Sequence, residues 1–292
     1  MKLKENSHPY AIITIILWAL AYVLTRAALS YFSPFSLGFL RYAVASAALL
    51  GVVFWKRLHV PRLRELPLFA LAGATGFFIY MIVFNLGQQH VTAATGSVVI
   101  STAPVITAVL ARIFFGEKIR AVQWTAIAIE FVGVLVLVLL DGEFSANGAL
   151  LLLILAALNI SVYNLLQRLL TKKYSALHAT SYSIFFGTLM LAVFLPQSVA
   201  EVSAAPPIGI FYAVFMGIFS SAIAYIAWAK AFACAKNTSH VSNYMFLTPF
   251  LTSLLGFFIL GETPDAATVI GGAIILLGVF IFNFGSRSPK QG

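Results

Sequence analysis

Ten runs of roughly 20 predominantly apolar residues constrain this chain more than any other feature, because a helix of about that length crosses the hydrocarbon core of a bilayer. They fall at about 10–29, 35–55, 67–87, 93–115, 122–140, 147–168, 176–196, 208–230, 239–260 and 266–284. Backbone in lipid must satisfy its own polar groups, so the predicted fold class is an all-α integral membrane protein. Composition agrees. Of 292 residues, 61% are apolar and 9% charged, too few charges to cover a water-facing surface. A soluble enzyme, a disordered chain and a nucleic-acid-binding module are thereby excluded. Lys2 and Lys4 give the first run the basic flank of a secretory signal, but the run is long and nine more follow, so it reads as a retained span. The lone Cys234 cannot make an intrachain disulfide.

The basic residues orient the spans. Sixteen of the 18 Lys and Arg lie in alternate connections or tails, and the opposite loops carry none, holding Asp141, Glu143, Glu201, Glu262 and Asp265 instead. Basic loops face the cytoplasm. Both termini are therefore expected to be cytoplasmic in a multi-pass protein of the cell membrane. The net charge of +9 then follows from topology, with no nucleic-acid partner. The remaining two basic residues, Arg26 and Arg41, fall inside spans.

Sliding the second half back by 145 positions aligns Ser97 with Ser242, Pro104 with Pro249, Thr107 with Thr252, Gly116-Glu117 with Gly261-Glu262 and Gly133-Val134 with Gly278-Val279. Tyr80 meets Tyr225, and at an offset of 142 Arg26 meets Arg168 and Ser33 meets Ser175. Apolar composition alone would not align Pro, Gly and Glu. The unit is five spans, an odd number, so the second copy enters the membrane from the other side. The expected organisation is a cytoplasmic N-terminus (1–9), a first five-helix repeat (10–140), an external loop (141–146), a second, inverted repeat (147–284) and a cytoplasmic tail (285–292). Inverted repeats suit alternating access, since one pattern in two orientations gives inward-open and outward-open states of similar energy.

Trp18 with Arg26, Arg41, the series Pro104, Leu110, Gly116 and Glu117, and its counterpart Pro249, Leu255, Gly261 and Glu262 resemble the drug/metabolite transporter superfamily, specifically ten-span EamA-type permeases. The resemblance covers nearly the whole chain. It implies a central cavity lined mainly by spans 1, 3, 4, 6, 8 and 9, with spans 5 and 10 peripheral. Members of that family carry amino acids, sugars, nucleobases and drugs, often outward.

The chemistry expected is recognition rather than catalysis. No phosphate-cradling Gly-x-x-x-x-Gly-Lys-[Ser/Thr] run occurs, so ATP does not power this chain directly. His90, His178 and His240 stand near span ends, outside metal-ligand spacing. An enzyme, a cofactor and a metal site are therefore not expected. Trp18, Tyr22 and Thr25 form one stripe on span 1 by their i, i+4, i+7 spacing. Tyr80 and Tyr225 with Trp228 supply spans 3 and 8, Ser97 and Ser101 span 4, Asn159, Tyr163 and Asn164 span 6, and Asn243 and Tyr244 span 9. Aromatic walls with a few amides and hydroxyls suit a small, partly apolar, neutral or zwitterionic solute. The repeat is expected to set Tyr22 near Asn164. Interhelical packing is the alternative role for each of these residues.

Glu130, near the middle of span 5, is either a protonatable carboxylate coupling proton movement to transport or a packing residue. Arg26 and Arg41 are read as attracting an anionic group or as structural, with snorkelling to the interface the simpler expectation. Pro104 and Pro249 are expected to kink their spans. The functional expectation is a secondary transporter of a small organic metabolite, such as an amino acid, with export favoured. A non-transporting scaffold or receptor-like protein and an importer of the same architecture stay open, as do protons as coupling ion and a monomer against a homodimer.

Overall fold

The computed structural model describes residues 7–116, 120–140, 144–234 and 243–285. Its described residues are helical apart from short connections. Seven helical stretches are long and apolar enough to cross a membrane, and three shorter apolar helices complete the ten. We number them in chain order. In the first half they are α1 (His8–Ala28), α2 (Pro34–Trp55), α3 (Leu66–Gly73, continuing to Gln88), α4 (Ala93–Ile100 and Ala103–Phe115) and α5 (Ala121–Leu140). In the second they are α6 (Phe144–Leu170), α7 (Ala176–Leu191, continuing to Ala204), α8 (Pro207–Phe215, continuing to Cys234), α9 (Leu247–Leu260) and α10 (Ala266–Gly285). "Inner" below denotes the side bearing the basic loops.

Local chemistry sets the helix ends, and it does so twice. Ser33 and Ser175, matched in the repeat, are the N-caps of α2 and α7, each hydroxyl accepting from the amide three residues on, at 3.2 Å. Such a cap satisfies one of the donors a helix start leaves free. Gly116 and Gly261 close α4 and α9 with φ of 68° and 67°, the left-handed turn that a Cβ disfavours. Glu201, beyond the expected end of span 7, lies on a helical continuation and accepts from the Ser33 amide at 2.8 Å. That bond ties α7 to the start of α2.

The helix breaks are paired as well. A π-helical segment interrupts α3 at Ala74–Ile79 and another interrupts α8 at Met216–Ile223, positions that overlap when shifted by the repeat. Pro104 and Pro249, expected to kink their spans, each stand just after a break in the helix. Ser101 and Thr102 form a turn between the two pieces of α4, and Pro104 sits in the first turn of the second piece, where a missing amide leaves no bond unmade. Pro249 likewise occupies the first turn of α9, after a 3-10 turn at Asn243–Phe246.

Helices α5 and α10 pack chiefly against each other, to one side of the remaining bundle. Gly133 and Gly278 permit the close approach: a Cβ on Gly133 would stand 2.7 Å from the Ile275 side chain, and one on Gly278 2.6 Å from Cγ of Glu130. Small residues at such crossings let packing alone join helices in lipid. The main core runs through α1 to α4 and α6 to α8, and takes in Ile275 and Val279 of α10.

Candidate substrate site

An aromatic column occupies the centre, where the two halves meet. Trp18 of α1 packs edge-on against Tyr225 of α8, ring centroids 5.4 Å apart, and against Trp228 at 5.1 Å. Phe77, inside the π segment of α3, touches Tyr42, Tyr163 and Tyr225 at 5.1, 5.0 and 5.5 Å. Further towards the outer side, Tyr22 meets Phe84 at 5.4 Å and Tyr80 stacks on Phe84 at 5.5 Å. A wider helical turn re-aims the side chains that follow it, which is why π segments recur at functional sites. Gly76, also in that segment, leaves room for the Tyr163 ring: a Cβ there would lie 2.4 Å from Cδ2.

Arg41 stands beside this column. It does not snorkel as expected; it is 6% exposed, donates from Nε to Ser221 Oγ at 2.8 Å and lies over the Tyr42 ring at 5.7 Å. Its charge is within electrostatic reach of Tyr22, Tyr42, Tyr80 and Tyr225. The Tyr42 and Tyr163 hydroxyls are sealed in without a hydrogen-bond partner; that of Tyr42 lies beside Tyr225 without reaching hydrogen-bond geometry.

Other expected lining residues stand apart from the column. Thr25 is buried and donates to the Met216 sulfur at 3.4 Å. Ser97 and Ser101 return their hydroxyl protons to Ala94 and Val98 of their own helix, and Asn159 donates to the Leu155 carbonyl at 2.9 Å. Neighbours on a helix point about 100° apart, so Tyr163 turns into the core while Asn164 is exposed and donates to Thr107 at 3.4 Å. Tyr22 therefore faces Phe84 and Tyr80 rather than Asn164. Tyr244 hydrogen-bonds His8 near the inner end of α1. Glu130 lies in the α5–α10 contact, 4% exposed, with one carboxyl oxygen unpartnered. The side chain of Asn243, and all of Ser242, Glu117, Asp141 and Glu143, lie outside the described residues.

Both ends of the bundle are tied across the halves. At the outer end Arg26 pairs with Glu262 at 3.1 Å and also donates to the Gln89 carbonyl. The second Glu262 oxygen accepts from the Ala93 amide at 2.9 Å, at the start of α4. A cavity of about 500 Å3 lies over this latch, lined by Arg26, Ala27, Leu29, Ser30, Gln89, His90, Leu260 and Glu262. It is a mouth, separate from the aromatic column. At the inner end Lys173 pairs with Glu65 at 2.6 Å, and Tyr174 donates to the same carboxylate.

Sequence reasoning missed Tyr42, Phe77, Phe84 and Ser221. The family resemblance left span 2 out of the cavity, and phenylalanines in an apolar run carry no signal of their own. An arginine followed by a tyrosine within such a run was the available clue.

The EamA-like transporter family matches residues 7–139 and again 147–284, one copy for each half. A probable terminal-alkyne amino-acid exporter of Streptantibioticus cattleyicolor is 31% identical over 272 residues, covering 93% of this chain and 91% of that protein. The uncharacterized transporter YdfC of Bacillus subtilis is 30% identical over 264 residues, with 90% and 86% covered. A solved structure described only as a crystal structure of protein shares the fold, with a TM-score of 0.64 at 18% identity, over 97% of this chain and 99% of that one. Two family matches that fill the two halves of a ten-helix bundle make this chain a membrane transporter of the EamA-like family, within the drug/metabolite transporter superfamily.

Proposed function

We propose that the protein is a secondary transporter that moves a small, partly apolar organic metabolite of amino-acid type outward by alternating access, and that it is not an enzyme. The carrying observation is the aromatic column, in which Trp18 and Phe77 of the first half meet Tyr225, Trp228 and Tyr163 of the second. A site shared by two inverted halves can hold a solute through both states. The name of the Streptantibioticus relative favours an amino acid and the outward direction. The inner ends of the helices, with both termini, face the cytoplasm of the cell membrane. We take 10–140 and 147–284 as the moving halves.

The site proposed is Trp18, Tyr22, Tyr80, Tyr163, Tyr225 and Trp228, with Asn243 and Tyr244 towards the inner mouth. Thr25, Ser97, Ser101, Asn159 and Asn164 are assigned to packing and helix bonding, on the bonds described above.

Purified protein in liposomes, loaded with a labelled amino-acid panel and tested with and without a proton gradient, decides the matter. Efflux of a panel member, at least tenfold weaker in apparent affinity for Trp18→Ala, is expected. No movement of any solute by folded protein favours the scaffold reading, and uptake alone favours an importer. Glu130→Gln adds the coupling arm. From its place between α5 and α10 we expect unchanged accumulation, and loss of gradient-driven accumulation with exchange intact would assign it proton coupling.

A further inference from the structure

Arg41 is eight residues into α2, about 10 Å along it at 1.5 Å per residue, and all but 6% buried. Among the described residues no carboxylate pairs with it, and its single hydrogen bond leaves from Nε to Ser221. Its terminal guanidinium nitrogens make no hydrogen bond, yet they are not among the polar atoms sealed from space by protein. The same holds for the hydroxyls of Tyr22, Tyr80 and Tyr225. A cation and three hydroxyls within its electrostatic reach thus border accessible space with their hydrogen-bonding capacity unused.

A charge inside the bilayer is costly and persists where it has a task. The repeat does not demand this one, because Arg41 falls on Ser183 at the offset of 142. Nor does the fold use the terminal nitrogens. A planar guanidinium fork matches a carboxylate, two parallel N–H donors meeting two oxygens. The aromatic faces beside it take an apolar body, and they also tolerate an ammonium group through cation–π attraction.

We infer that Arg41 is a substrate-binding residue that holds the carboxylate of a small amphipathic acid, whose apolar part lies against Trp18 and Tyr225. This inference rests on the transporter reading above and gives it a substrate class. Tyr22 and Tyr80 donate to the same carboxylate from the outer side. Ser221 positions the fork by fixing Nε, which the π segment of α8 makes possible by turning that hydroxyl towards α2.

The test uses the full chain with Trp55 and Trp124, both exposed, replaced by Phe, so that fluorescence reports on Trp18 and Trp228. The probes are 3-phenylpropionate, its amide, L-phenylalanine, L-phenylalaninamide and phenyl phosphate, with counterflow of labelled L-phenylalanine measured in parallel. Acids are expected to bind at least tenfold more tightly than the matching amides. Arg41→Gln should abolish that preference and Arg41→Lys should keep part of it, which guards against a variant that fails to fold. Equal affinity for acid and amide, a preference that survives Arg41→Gln, tighter binding of phenyl phosphate, or no binding at all would each overturn the inference. Acid-selective binding without counterflow upholds the carboxylate site and sinks the proposed transport of amino-acid-type solutes; counterflow without acid preference does the reverse.

Discussion

At the scale of residues, space decides as much as polarity. Gly76 has no side chain because the Tyr163 ring fills the place where one would go, the nearest ring atoms standing 2.4 and 2.6 Å from a Cβ. Gly76→Ala must push that ring out of the column, at a cost of about 1–3 kcal/mol. A lower melting temperature in detergent is expected, and in a Tyr163→Val background, where the ring is gone, Gly76→Ala should lower it little further. An equal drop in both backgrounds would mean that the helix backbone, not the ring, sets the limit. The same spatial logic explains what could be read in the sequence. Trp18, Tyr80 and Tyr225 were legible because repeat and helical spacing put large polar-tipped rings at matched positions. Ser97, Ser101 and Asn159 were not, since a hydroxyl or amide that bonds back to its own helix looks in sequence the same as one that faces a solute. Arg41 looked like an interfacial residue, because its burial depends on the serine that α8 offers it.

At the scale of elements, the two ion pairs sit at opposite ends and join opposite halves, so they work against each other. Arg26 and Glu262, with side chains 35% and 19% exposed, hold the outer ends of α1, α3, α4 and α9 together. Glu65 and Lys173 fasten the start of α3 to the connection between α6 and α7. The partly exposed Arg26–Glu262 pair contributes up to about 1 kcal/mol, enough to shift an evenly balanced equilibrium several-fold. With a cysteine introduced at Ala27 on the outer cavity wall, in a Cys234→Ala background, Glu262→Gln should raise labelling by an impermeant thiol reagent about three- to fivefold. Glu65→Gln should lower it, because a loosened inner end favours the state closed outside. Movement in the same direction for both variants would show that the pairs serve stability alone. The latch partners were visible in the sequence, one inside a span and one after a capping glycine, but their pairing was not, because they lie 236 residues apart.

For the whole molecule, the basic loops make sidedness testable. The charge pattern expects a cytoplasmic reporter signal from a fusion near residue 60 and an external one from fusions near 142 and 264, and a cytoplasmic signal at either of the latter would refute the assigned topology. The ten-helix count and the inverted halves were legible because they follow from run length, odd repeat size and matched Pro and Gly positions. The way the halves dock was not, for docking depends on which faces the helices turn to each other. The docking of α5 on α10 makes each half depend on the other. Each of these helices closes its own half, yet its glycine face is covered by the last helix of the other half. A five-helix half standing alone would leave that face bare, so neither half is complete until the other lies against it.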